Sequence, residues 1–146
     1  MMKRGISRRL MPALAMTVLA TAACAEVRTK SDAASEVVVQ IGRESYVQYC
    51  SSCHGADGRG GGPVAQALKA PPPDLMKISE RREGRFDEKV VASLIDGREM
   101  PAVHGTREMP VWGKRFSERL GGGEIGEESV RGQLLVLIEY LRSIQR

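Results

Sequence analysis

At 146 residues the chain is long enough for one domain and an export segment. Its formal charge of +4 suggests a polyanion partner, but four of its 22 basic residues, Lys3, Arg4, Arg8 and Arg9, lie ahead of Glu26, and the 18 that remain match the 18 acidic ones, so no net field is left to attract nucleic acid. Aromatic residues are only 4%, leaving Leu, Val and Ile to fill most of a core, and the three cysteines, Cys24, Cys50 and Cys53, are odd in number and wrongly spaced for a disulfide framework.

Residues 1–25 have the pattern of a signal peptide. The basic start is followed by an apolar stretch from Leu10 to Ala23, and Ala23-Cys24-Ala25 fits small-residue cleavage, with Glu26 as the new terminus. The stretch contains Pro12 and Thr17 and is short for a membrane span. Two alternatives stand beside cleavage. The first is an uncleaved anchor. The second is lipidation at Cys24, although the usual Leu three residues ahead of the cysteine is missing. Ser7-Arg8-Arg9-Leu10 also resembles a twin-arginine signal. Either way the chain is expected in the periplasm, free after cleavage near Ala25-Glu26 or held at the membrane through Cys24 or the retained N-terminus.

Residues 26–38 are small, polar and charged at first and are expected to be a flexible linker ahead of a domain over 39–146. Ile41, Ser45, Tyr46, Tyr49 and Cys50 share one side at helical spacing, which predicts a helix over 39–51. Gly55 to Pro63 holds five glycines and predicts a loop. A short helix is expected over Val64–Leu68, stopped by Pro71-Pro72-Pro73. Asp87–Asp96 predicts a third helix, with Phe86, Val90, Val91, Leu94 and Ile95 as its apolar stripe, acidic residues in the first turn and Gly97 at the end. Residues 98–126 read as irregular. The last helix is expected over 127–144, burying Val130, Leu134, Leu137, Ile138, Leu141 and Ile144. No segment predicts a strand.

The chemistry lies in Cys50-Ser51-Ser52-Cys53-His54, a C-x-x-C-H run at the end of the first predicted helix. Two thiols three residues apart can reach two vinyl groups on one edge of a porphyrin, and the adjacent imidazole then sits beneath the ring. Each thiol adds across a vinyl group, its sulfur bonding one carbon and its hydrogen going to the other. Three other uses of these residues fit less well. A thioredoxin-like redox pair requires a βαβ context and a helix that begins at the first cysteine. A zinc site would draw on Cys50, Cys53, His54 and His104, with Cys53 and His54 poorly placed to share one tetrahedral ion. A disulfide would leave His54 unexplained.

Most of residues 41–146 resembles class I cytochrome c, the family of small bacterial cytochromes and of mitochondrial cytochrome c. Gly42, Tyr46 and Cys50 follow one another at intervals of four, as the family's glycine, aromatic residue and first haem cysteine do, and Leu137-Ile138-Glu139-Tyr140-Leu141 is similar to its C-terminal helix motif. The resemblance implies an all-α cytochrome c fold, three to four main helices wrapped around one covalent haem c, with the first and last helices crossing at Gly42. Pro73-Asp74-Leu75 is similar to the family's Pro-Asn-Leu segment. It implies that the Pro73 carbonyl accepts the hydrogen bond from the second nitrogen of His54, fixing the iron ligand's tautomer, and that Leu75 packs on the porphyrin. The alternative is a rigid turn that touches no haem. In that family haem is attached after export of an unfolded chain, which argues against a twin-arginine route.

The resemblance also places a methionine on the far side of the iron, on the loop before the last helix. Met109 is the expected ligand. It lies mid-loop in Met109-Pro110-Val111-Trp112-Gly113, a run similar to that of several bacterial members, with Trp112 and Phe116 as apolar cover for the haem edge. Met100, close behind the helix ending near Gly97, and His104 are the alternatives. With both axial positions filled, the haem would exchange single electrons rather than bind oxygen or peroxide, and a thioether ligand would raise its potential. The expected function is a periplasmic electron carrier, not an enzyme, docking transiently with redox proteins. A haem subunit tethered to a membrane oxidoreductase, or a gas-binding or peroxidatic protein with a displaceable sixth ligand, is the alternative. Arg81, Arg82 and Arg85 form a basic cluster that could dock a partner, though a solvated turn explains it equally simply.

Overall fold

The computed structural model describes residues 35–99 and 109–146, and among these residues every regular element is helical. The expected signal peptide with Cys24, the first part of the linker, Met100 and His104 lie outside the described residues. The first helix, α1, spans 35–49. It begins four residues ahead of its expected start, so residues 35–38 are helix and not linker, and it stops ahead of Cys50 rather than at residue 51. Then follow the single turn α2 (Ser51–His54), three short 3-10 turns (Ala65–Ala67, Leu75–Lys77, Glu80–Arg82), and the helices α3 (Glu88–Asp96), α4 (Trp112–Glu118) and α5 (Gly123–Ser143).

α1 and α5 are the frame. Gly42 on α1 lies directly against the Val136 carbonyl and the Tyr140 Cβ, leaving no space for a side chain. One turn on, Tyr46, which is wholly buried, packs on Tyr140 with ring centroids 5.2 Å apart. The Gln133 amide donates to Ser45 Oγ at 2.6 Å across the same crossing. This is the crossing the Gly42–Tyr46–Tyr140 spacing implied. α5 presents Val130, Leu137, Ile138 and Leu141 to the core, with Leu134 and Ile144 half-buried beside them. Burial of a side chain as fully enclosed as Leu137 stabilises the fold by about 2 kcal/mol. Ile41 and Leu94, expected inside, are 46% and 48% exposed and lie at the solvent edge of their stripes.

α3 forms for reasons that its sequence displays. Asp87 caps it, its carboxylate accepting from the Val90 N–H at 3.1 Å. Gly97 ends it in the left-handed conformation (φ 70°), where a side chain would be strained, and its N–H donates to the Ser93 carbonyl. α4 corrects the expectation of an irregular 98–126. Its Trp112 and Phe116 stack at 5.5 Å, and both pack on Tyr49 of α1, at 5.5 and 5.3 Å between centroids. They are core residues joining α4 to α1. α5 starts at Gly123, four residues before its expected start, and Gly121, Gly122 and Gly123 at the entry all have positive φ. The chain end is pinned as well. Gln145 accepts from the Ser79 N–H and donates to the Leu75 carbonyl, both at 2.9 Å.

Candidate functional site

The C-x-x-C-H run is one helical turn joined to α1. The Cys50 N–H donates to the Tyr46 carbonyl at 2.8 Å, and the Cys50 carbonyl accepts from both Cys53 (3.2 Å) and His54 (2.9 Å). Cys50 and Cys53 are free thiols, each half-buried. Burial pushes the Cys50 thiol up to about 12, and the neighbouring Cys53 adds to the effect. A redox-active C-x-x-C pair needs the opposite, a depressed thiol at the start of a helix. Here the first cysteine is protonated at neutral pH and follows a helix end. Among the described residues no three His, Cys, Asp or Glu side chains are grouped to hold a metal ion, so Cys50, Cys53 and His54 do not converge as a zinc site would require.

The glycine-rich loop explains why the turn stays in place. The last carbonyls of a helix lack intrahelical partners. Here the loop folds back and supplies them. Gly60 donates to His54 (2.7 Å), Gly62 to Cys53 (3.1 Å) and Val64 to Ser52 (3.0 Å). Close approach is the condition. A Cβ on Gly62 would run into the Ser52 carbonyl, and one on Gly60 into the Pro72 carbonyl, with Gly60 also at φ +88°. The buried Tyr46 hydroxyl donates to the Gly55 carbonyl at 2.6 Å, tying the core of α1 to the residue after His54. The Leu75 N–H donates to the Gly58 carbonyl at 2.7 Å, which brings the proline segment alongside.

His54 is half-buried, and its Nδ1 is enclosed with no hydrogen-bond partner. Burial lowers the pKa of the imidazole, and the neighbouring Pro73 carbonyl acts in the other direction. A buried ring nitrogen facing a backbone carbonyl is the arrangement by which a metal-ligating histidine is oriented. Pro73 and His54 are therefore neighbours. Leu75 is half-buried against the helical core. Met109 stands just ahead of α4 and is 36% exposed. Trp112 and Phe116, expected over a haem edge, pack in the core beside Tyr49, the residue before Cys50. Arg81 donates to the Asp74 carbonyl at 2.8 Å, and Arg85 approaches Glu83 at 3.9 Å with both side chains almost fully solvated, so the basic cluster is a charged surface turn. Gly60, Gly62 and the Tyr46 hydroxyl were not identified from the sequence as site residues. The five-glycine run was the signal for the two glycines.

These residues fit a covalently attached haem. Two unpaired thiols stand on one turn, the imidazole beside them is neutral and has an unpartnered buried nitrogen, and the chain around them is closed by backbone hydrogen bonds. No helix among the described residues is long and apolar enough to cross a membrane. Searches of curated proteins and of solved structures returned no match. Residues 38–119, from α1 through α4, match the family described as cytochrome C oxidase, cbb3-type, subunit III. With an all-α fold and a span covering more than half of its length, the chain belongs to this family of c-type cytochromes, whose cofactor is covalently bound haem c.

Proposed function

We propose that the protein carries one electron at a time on a single haem c between redox partners in the periplasm. The observation that carries this reading is the Cys50–His54 turn, with two free thiols and a buried imidazole that lacks a partner for Nδ1. Cys50 and Cys53 would hold the porphyrin edge as thioethers, His54 would ligate the iron through its other nitrogen, and Met109 would supply the sixth ligand. The haem supplies a reversible one-electron couple whose potential its axial ligands set. The chain does the rest. The neighbouring Pro73 carbonyl would accept the hydrogen bond from Nδ1 once the ring is aligned on the iron, and would thereby select the ligating nitrogen of His54. The glycine loop satisfies the turn's carbonyls, and Leu75 fixes the proline segment by donating its N–H to the Gly58 carbonyl and accepting at its carbonyl from the Gln145 side-chain amide. The core of stacked rings beside Cys50 resists rearrangement when the charge changes.

The test is an intact mass of the mature protein together with an ultraviolet–visible spectrum. The expected result is the mass of the chain from Glu26 plus one haem, with a low-spin spectrum in both oxidation states. A mature protein without added haem mass overturns the reading. The family's description also favours a second arrangement, in which the domain is the haem subunit of a membrane oxidase complex. Membrane fractionation separates the two. A carrier washes free in salt, whereas a tethered subunit stays in the membrane fraction or carries a lipid on Cys24.

A further inference from the structure

An arginine bridges α3 to α5 at each end of α3. At the N-terminal end Arg142 of α5 pairs with Glu88 and, at 3.1 Å, with Glu139. At the C-terminal end Arg98 makes two parallel bonds to Asp96, Nε to Oδ1 at 2.7 Å and Nη2 to Oδ2 at 2.9 Å, and reaches Glu127 of α5 through Nη1 at 2.7 Å. Paired N–H donors on one carboxylate fix orientation as well as distance.

The two bridges differ in what else they hold. Arg142 lies over the Phe86 ring, and its ion pairs are to Glu88 of α3 and Glu139 of α5. The Arg98 cluster is closed from above by α4. Gly113 sits so close that a Cβ there would strike Asp96 Oδ1 and Arg98 Nε. Ser117 Oγ donates to Glu127 Oε1 at 3.4 Å, and the Gly97 backbone packs against Val111. The point where the chain leaves α3 and the point where it enters α4 therefore meet at one charged cluster. Met109 lies two residues before Val111 and four before Gly113.

We propose that the Asp96–Arg98–Glu127 cluster, closed by Gly113, is the positioning device for Met109. It ties the start of α4, two to four residues after Met109, to α3 and α5, so the sulfur is offered from an anchored position. The inference rests on the reading of Met109 as the sixth iron ligand. Freeing one end of a segment multiplies its accessible conformations, and a ligand held from outside its own shell loses occupancy when that support is removed. Arg98 acts through Met109 and need not touch the haem.

The experiment uses the holoprotein and compares Arg98→Ala with Arg142→Ala. Three quantities are read: the far-red sulfur-to-iron charge-transfer band of the oxidised form, the rate of carbon monoxide binding to the reduced form, and the thermal midpoint. Both substitutions should lower the midpoint, since each removes a bridge between α3 and α5. Only Arg98→Ala should weaken the band and speed carbon monoxide binding, by about ten-fold or more, with Arg98→Lys recovering part of both. Glu127→Gln keeps the Arg98–Asp96 pair and should shift the same two readouts by less, which serves if Arg98→Ala fails to accumulate. The Met109→Ala variant separates the two claims. If it loses the band while Arg98→Ala and Glu127→Gln retain the wild-type band and rate, the positioning role is wrong and the ligand stands. If Met109→Ala keeps the band, the ligand assignment is wrong and the positioning role falls with it.

Discussion

The segment carrying His54 and the segment carrying Met109 are held in opposite ways. The first is fixed by backbone hydrogen bonds from chain close by in sequence: Gly60, Gly62 and Val64 onto the carbonyls of α2, and Leu75 onto Gly58. The second is bordered by a side-chain cluster, Asp96 of α3, Arg98 just after it, Ser117 of α4 and Glu127 of α5, closed by the Gly113 backbone. A site built from local backbone tolerates substitution of nearly any side chain that is not a glycine contact. One built from side chains far apart in sequence is tunable by single changes. On the proposed assignment, the strong and permanent ligand sits on the rigid side, and the weaker, potential-setting ligand on the adjustable one.

The comparison breaks most completely at the turn itself. Replacing both Cys50 and Cys53 by Ala should leave no haem attached after denaturing extraction, an all-or-none result read by mass. His54→Ala should keep the covalent haem but abolish the low-spin spectrum. If haem remains covalently bound in the double variant, attachment lies elsewhere in the chain.

The next effect tests whether the rigid side depends on close approach. Gly62→Ala places a methyl group against the Ser52 carbonyl, which is backbone and cannot rotate away. A loss of about 3 kcal/mol is expected, near the upper end for overpacking. Gly61, its neighbour, has open space at its Cβ position and no positive φ. Gly61→Ala should be neutral, or stabilising by up to about 1 kcal/mol through the unfolded chain. Urea unfolding of the two variants decides the matter. Equal midpoints would mean that the loop yields and does not brace the turn.

Tyr46→Phe should have a smaller effect. It removes the 2.6 Å hydrogen bond to the Gly55 carbonyl while leaving the ring packed on Tyr140. Burial holds the Tyr46 phenol well above its usual pKa, so it remains a donor at every pH of interest. A loss of about 1–2 kcal/mol is expected, because the Gly55 carbonyl keeps its place without a partner. The carbon monoxide rate should not move, since the bond lies on the His54 side.

Legibility in the sequence follows the same division. The Cys50–His54 run, the Gly42–Tyr46–Tyr140 crossing and the caps of α3 were readable because each is a fixed spacing within one helix or the residue type demanded at its end. α4 was not, because seven residues with a single apolar pair at i and i+4, Trp112 and Phe116, and an internal Gly113 give too little periodicity to separate helix from loop. The Gly121-Gly122-Gly123 run appeared to be part of an irregular stretch, whereas its positive-φ backbone delivers the chain into α5. The five glycines after His54 announced a loop, but no local pattern tells which carbonyl a loop glycine will touch. Arg98 and Gln145 are less legible still, since their partners lie 29 and 66–70 residues away.

Acid should loosen the adjustable side before the rigid one. Asp96 is held below its usual pKa chiefly by the hydrogen bond from Arg98, with burial opposing, and Glu127 is lowered by the same guanidinium. Arg98 remains charged throughout, and Lys114, Glu118 and Glu99 border the cluster from the grooves beside it. A carboxylate with a depressed folded pKa binds fewer protons in the folded than in the unfolded protein, so its contribution is complete above the ordinary carboxylate range and disappears as pH falls through the folded value. The far-red band and the thermal midpoint should therefore be flat near neutrality and fall from about pH 5 downward. In an Asp96→Asn, Glu127→Gln double variant the fall should be shallower, starting from a lower plateau. Glu128 offers the contrast. Its pKa is also lowered, by Arg131, but that pair lies within α5 and bridges nothing. Glu128→Gln should leave the acid dependence of the band as it is in the parent protein. If Glu128→Gln flattens it as much as the double variant does, the dependence reports general surface charge and not the junction that holds Met109.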